Sequence, residues 1–149
     1  MKPTPPGWPR ISSAVYYPEP RAAIDWLCRA FGFEIRLLVE GEGGRVEHSE
    51  LSLGSDGLIM VSGAKPDKFS YRRTPSEVQG ANTQNLMAYV DDIEAHCQRA
   101  RAAGAVITQG IATHDYGEDY WVDRSYECRD VGGHHWWFAE RMRGPKSNE

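Results

Sequence analysis

The sequence predicts an α+β fold of two tandem βαβββ modules, whose mixed sheets form a cupped surface with helices on the convex face. Three observations carry this reading. The chain has 149 residues, 40% hydrophobic and 26% charged, which suits one soluble globular domain with a real core. A pattern of one strand, one helix and three strands runs through the chain twice. Landmarks also recur at about half the chain length. Ile24 and Ile93 lie 69 residues apart, and each is followed four residues later by Cys28 or Cys97. Ser12 and Asn85 lie 73 apart, and Met60 and Trp137 lie 77 apart. Identity between the halves is low, so the repeat is one of architecture.

The first ten residues read as an irregular arm, since prolines at 3, 5, 6 and 9 remove donors and fix φ. Module one spans 11–63. ISSAVYY (11–17) is β-branched and aromatic and stops at Pro18, which predicts a strand. Pro20 then suits the first turn of a helix over 21–31, with an Ala23, Ile24, Leu27, Phe31 stripe and Gly32 as its stop. EIRLLVE (34–40), VEHSELSLG (46–54) and LIMVSG (58–63) read as strands parted by glycine turns. Residues 64–84 show no period and form a long connection. Module two spans 85–140. NLMAYV (85–90) is its first strand, Asp91 or Asp92 an N-cap, and 93–104 a helix ended by Gly104. Strands follow at 105–111, 123–130 and 134–140, with a loop at 112–122 and a polar tail at 141–149. Residues 11–140 are thus taken as one domain.

Composition excludes several classes. The net charge of −4, with no Lys/Arg cluster, speaks against nucleic-acid partners and a polybasic membrane patch. No apolar run approaches the roughly 18 residues of a membrane span, and MKPTPPGWPR lacks the apolar centre of a signal peptide. Cys28, Cys97 and Cys128 are odd in number and far apart, so neither a disulfide framework nor a structural zinc site is expected. Reduced thiols in a cytoplasmic protein follow.

Four segments in this order, AIDWLCRAFGFEI (23–35), VEHSELSLGSDGLIMVSG (46–63), MAYVDDIEAHCQRARAAGA (87–105) and RDVGGHHWWFAE (129–140), resemble the vicinal oxygen chelate superfamily of glyoxalases, bleomycin-resistance proteins and extradiol dioxygenases. Within it, the small bacterial PhnB-like proteins look nearest. The resemblance implies a metal site whose ligands come from the first and last strands of each module. Strand register carries those places onto Ser12, Met60, Asn85 and Trp137. None is a good ligand for a divalent cation, so no cofactor is expected and the usual metal centre is absent. A divalent metal remains conceivable only at a non-standard site built from His48, Glu50 and His135.

Alternation assigns the remaining candidates. His48 and Glu50 lie two apart on one strand and share a face, so they can form a catalytic acid–base pair, two legs of a metal site, or a surface pair on an edge strand. Ser12, Ala14, Tyr16 and Met60 from module one, with Asn85, Met87, Tyr89, His135 and Trp137 from module two, are the expected ligand-pocket lining. Trp121 joins them from a loop that, by the resemblance, borders the pocket mouth. Trp136 and Phe138 face the core, His134 closes a turn, and His96 sits at the surface of the second helix. Two tyrosines, two methionines and a tryptophan suit a flat aromatic molecule, unless they simply fill the cup. Three functions follow: a metal-free small-molecule-binding protein, a glyoxalase-type lyase or isomerase working through His48 and Glu50, or a structural dimer with a filled cup. The resemblance also implies a homodimer.

Overall fold

The computed structural model describes residues 1–146. The chain divides into two compact units, one of residues 1–81 and one beginning at Asn82. In the first, strand β1 (Ser13–Tyr16) is followed by helix α1 (Pro20–Phe31) and strands β2 (Glu34–Glu40), β3 (Val46–Leu53) and β4 (Gly57–Ser62). In the second, β5 (Leu86–Tyr89) is followed by α2 (Ile93–Ala102), β6 (Val106–Asp115), β7 (Val122–Arg129) and β8 (His135–Arg143). Each unit is one four-stranded mixed sheet, ordered β1-β4-β3-β2 and β5-β8-β7-β6, with one helix. The first strand of each lies parallel to the last, and the other pairs are antiparallel. The tandem βαβββ reading is therefore correct. No helix among the described residues is long and apolar enough to cross a membrane.

Local chemistry explains the elements. Helix α1 buries Ala23, Ile24, Trp26, Leu27, Ala30 and Phe31 against its sheet, and Gly32 ends it at φ 81°, where L side chains are strained. The facing sheet surface is Val15, Ser49, Leu51, Ile59 and Val61, all buried. Ser49 is tolerated there because its hydroxyl accepts from Val61 N at 3.1 Å and donates to Val61 O at 2.5 Å. Asp92, rather than Asp91, caps α2 by accepting from Ala95 N at 3.0 Å. The second core holds Ile93, Cys97, Tyr126, Cys128, Trp136 and Phe138.

Several sequence expectations need correction. Strand β6 runs on to Asp115 rather than ending at 111, because it pairs with β7 as far as Asp115–Val122. A register shift between Gln109 and Ala112 accommodates Gly110 within the strand. Strand β8 extends to Arg143, so the polar tail starts at Gly144. Residues 147–149 of that tail lie outside the described residues. The connection at 64–84 contains a 3-10 turn, Pro75–Val78, with a capping box between Thr74 and Glu77. His96 is half-buried instead of free at the surface. Its ring packs 4.3 Å from that of Phe138, and Nδ1 lies 2.7 Å from the Tyr126 hydroxyl.

The DVGGH hairpin (130–134) is held together by side-chain hydrogen bonds. Asp130 Oδ1 accepts from Gly132 N and His134 N, both at 2.9 Å, and Oδ2 from the Trp136 indole at 2.8 Å. Asn82 then donates to Gly133 O and accepts from His135 N. His134 acts through its backbone in this turn.

Candidate functional site

Each sheet has one face covered by its helix, so the alternate residues make an open face. In the first unit, Ala14 stands beside Met60, Leu37 beside Glu50 and Val39 beside His48. Ala14, Tyr16, Met60, His48 and Glu50 therefore share the open face, as alternation required. Strand β3 lies between β4 and β2, so His48 and Glu50 are not on an edge strand. Glu50 is only 7% exposed.

A buried carboxylate needs partners, and Glu50 has two. Its Oε1 lies 3.1 Å from His48 Nε2, and its Oε2 lies 3.6 Å from Arg36 Nε. A register shift between Ile35 and Leu37 sets Arg36 and Leu37 against the single residue Glu50. Arg36 also donates to Gly7 O at 2.6 Å and to Pro6 O at 3.3 Å, and its guanidinium lies 5.5 Å from the Trp8 ring centre. The arm read as irregular is thus pinned to β2 by one side chain. When His48 Nε2 donates to Glu50, Nδ1 carries the lone pair, the arrangement of an oriented general base.

The open face of the second sheet is a ladder of rows. Met87, Trp137, Glu127 and Gln109 form one row, and Tyr89, Ala139, Ser125 and Ala112 the next. Trp137 is partly exposed, whereas its neighbour Trp136 is 3% exposed and in the core. The two tryptophans therefore divide as alternation predicted. In the third row, Arg141 stands beside Asp123. Asp123 is 3% exposed and accepts from Arg141 Nε at 2.5 Å and from the Tyr89 hydroxyl at 3.2 Å. Arg141 also bonds the Tyr89 hydroxyl, and its guanidinium lies 5.1 Å from the Tyr89 ring centre and 4.9 Å from that of Trp121. Burial, then the Asp123 carboxylate, push the Tyr89 phenol above its usual range, while bonding to Asp123 raises Arg141 further. Tyr89 stays neutral and Arg141 charged across the physiological range.

Reading by sequence missed Asp123, Glu127 and Arg141. The signal was present for two of them: Asp123, Ser125 and Glu127 alternate with Arg124, Tyr126 and Cys128 along β7. Arg141 was hidden by its assignment to the tail. Asn85 is exposed just before β5, and His135, half-buried, opens β8. His48 and Glu50 belong to the first unit and His135 to the second.

The four places that the sequence resemblance assigned to a metal carry poor donors. Met60 offers a soft thioether, Trp137 no ligand atom, and Asn85 an amide. Ser12 Oγ is shut off from solvent and has no hydrogen-bond partner among the described residues. Nor do the described residues hold any group of three or more His, Cys, Asp or Glu arranged to bind a metal ion. These donors do not suit a divalent cation.

The family model for the glyoxalase/bleomycin resistance protein/dioxygenase superfamily matches residues 11–138. The chain belongs to that superfamily. Within reach of this glyoxalase-type chain is TioX from Micromonospora sp. ML1, a solved structure 29% identical with a TM-score of 0.66, covering 94% of this chain and 99% of its own. TnmS3, an antibiotic binding protein from Streptomyces sp. CB03234, shares the fold at 17% identity and TM-score 0.63, covering 88% of this chain and 93% of its own. An uncharacterised protein of Mycobacterium bovis is 24% identical over 141 residues, covering 95% of this chain and 89% of its own.

Proposed function

We propose that this glyoxalase-type chain binds a small aromatic molecule and does so without the divalent metal of catalytic relatives. One observation carries the reading: the open face of the second sheet presents Trp137, Tyr89, Trp121 and Met87, and its buried carboxylate Asp123 is already held by Arg141 and the Tyr89 hydroxyl. Rings of this kind hold a planar ligand by offset stacking, and a thioether adds a polarizable contact. The fold shared with an antibiotic binding protein supports a binding role. The resemblance carried by the four sequence segments, with a histidine at position 48, supports placing the chain among the PhnB-like members. The thiols Cys28, Cys97 and Cys128 suit a cytoplasmic protein.

The test is a fluorescence screen of planar aromatic compounds, followed by titration of the best binder into wild type and Trp137→Ala. The variant should lose roughly 1–3 kcal/mol of binding, the range for one buried aromatic contact. Stoichiometric nickel, zinc or manganese in protein purified without a histidine tag would overturn the metal-free reading.

A second reading rests on the 3.1 Å contact between His48 and Glu50. It makes the chain a lyase or isomerase in which His48 removes a proton next to a carbonyl while Glu50 orients the ring. Exchange of such a proton with heavy water, lost in Glu50→Gln, would favour it. We also propose a homodimer, because edge strands β2 and β6 expose Ile35, Leu37, Val39 and Val106, which a second copy can cover.

A further inference from the structure

We propose that the first unit carries an anion-recognition subsite centred on Arg72, which takes the carboxylate of a planar aromatic acid. The subsite is independent of Trp137 and of the second unit.

The connection after β4 is a built loop rather than a loose one. Lys65, at φ 49°, accepts through its carbonyl from Lys68 N at 3.0 Å and Phe69 N at 2.8 Å. Phe69 O accepts from Arg72 N at 3.0 Å, and the Thr74–Glu77 capping box fixes the far end. This backbone brings three rings around one guanidinium. Arg72 Cζ lies 3.6 Å from the centre of Phe69, 5.0 Å from that of Tyr16 and 5.4 Å from that of Tyr71. Lys68 Nζ lies 5.3 Å from the same Phe69 centre. Two cations therefore share one ring, in a chain whose net charge is −4.

Among the described residues, no internal anion answers them. Arg72 Nε and Nη2 both point at the Tyr71 hydroxyl, at 3.3 Å each. Among the described residues, no carboxylate lies within ion-pair range of Arg72 or Lys68. Asp67 is exposed and pairs with neither, and Lys65 is taken up by Glu47 at 3.1 Å. Arg73 spends its Nη1 on the carbonyls of Ser70 and Arg72. The Nη1–Nη2 fork of Arg72 thus remains, and it is the edge that receives a carboxylate through two parallel hydrogen bonds. Three rings within 5.4 Å of its Cζ restrict the guanidinium, so less freedom is lost on binding.

The second unit shows what occupies this position when the protein supplies the anion itself. Tyr89 stands 73 residues after Tyr16, as Asn85 does after Ser12, and Arg141 lies on its ring at 5.1 Å just as Arg72 lies on Tyr16 at 5.0 Å. There, buried Asp123 fills the guanidinium. In the first unit that place is left for a ligand. Tyr16 and Met60 share the open face and offer an apolar surface for the body of the acid.

The probes are 2-naphthoate and its neutral isostere 2-naphthalenemethanol, titrated by calorimetry into wild type, Arg72→Gln, Arg72→Lys and Arg73→Gln. Wild type should prefer 2-naphthoate by about 10-fold or more, the worth of one charge-assisted carboxylate contact. Arg72→Gln should erase the preference while leaving binding of the alcohol unchanged. Arg72→Lys should retain part of it, and Arg73→Gln all of it. Equal binding of the two probes to wild type overturns the proposal, as does a preference that survives in Arg72→Gln. Binding of neither probe also overturns it. All of these variants keep Trp137, so failure here and failure of the Trp137→Ala titration are read separately.

Discussion

Neighbouring residues in β8 have opposite jobs, and their substitution should separate them. Trp136 is 3% exposed, packs parallel to Phe138 at 5.7 Å and donates its indole N–H to Asp130, which organises the hairpin. Trp136→Ala removes a buried ring and leaves Asp130 short of a partner, so it should destabilise the fold by about 3–5 kcal/mol in urea unfolding. Trp137→Ala, on the open face, should leave the unfolding midpoint nearly unchanged. Reversal of these outcomes would invert the assigned face, since a one-residue slip swaps every side chain. Cys128 gives a second test. Burial first, then Asp130 nearby, push its thiol up from the usual value near 9 to about 12. As pH rises above 9 the unfolded chain gives up a proton that the folded chain keeps. The contribution is therefore present below pH 9 and is lost progressively towards pH 12. Melting temperature should fall across that window, and less steeply in Cys128→Ala than in wild type.

At the scale of elements, caps and edges were the legible features. Pro20 before the first helix, Gly32 after it and an aspartate before the second were all marked by residue type. Gly32 sits at φ 81°, so Gly32→Ala should cost about 1 kcal/mol, seen as a lower urea midpoint with an unchanged slope. A loss well below that value would mean that the helix end relaxes. Other element ends were hidden. The TPSE run at 74–77 held a capping-box signal that went unread within an aperiodic stretch. Strand β6 looked finished at Ile111, and only its pairing with β7 as far as Asp115 shows that it continues. Strand β8 looked finished at Glu140, because Arg141 and Arg143 are polar. They extend the strand since Asp123 and Asp115 meet them across it.

For the molecule as a whole, edge strands β2 and β6 carry Ile35, Leu37, Val39 and Val106 at 47%, 42%, 42% and 50% exposure. Such edges invite pairing, so light scattering at micromolar concentration should give about twice the chain mass of 16.8 kDa. A value near one chain mass would refute the dimer.

The sequence by itself determined the repeated βαβββ order, the helix-facing stripes and the shared face of His48 and Glu50. These follow from period 3.6, period 2 and local turn chemistry, which act over a few residues. Only tertiary structure decided which polar residues find partners. Glu50 is held by Arg36 from the neighbouring strand, His96 by Tyr126 from the sheet beneath its helix, and Asp123 by Arg141 after a whole hairpin. Arg72 gathers the rings of Tyr16, Phe69 and Tyr71, one of them 56 residues away along the chain. Such pairings depend on strand register and on loops that bring distant segments together, and spacing along one segment does not encode them.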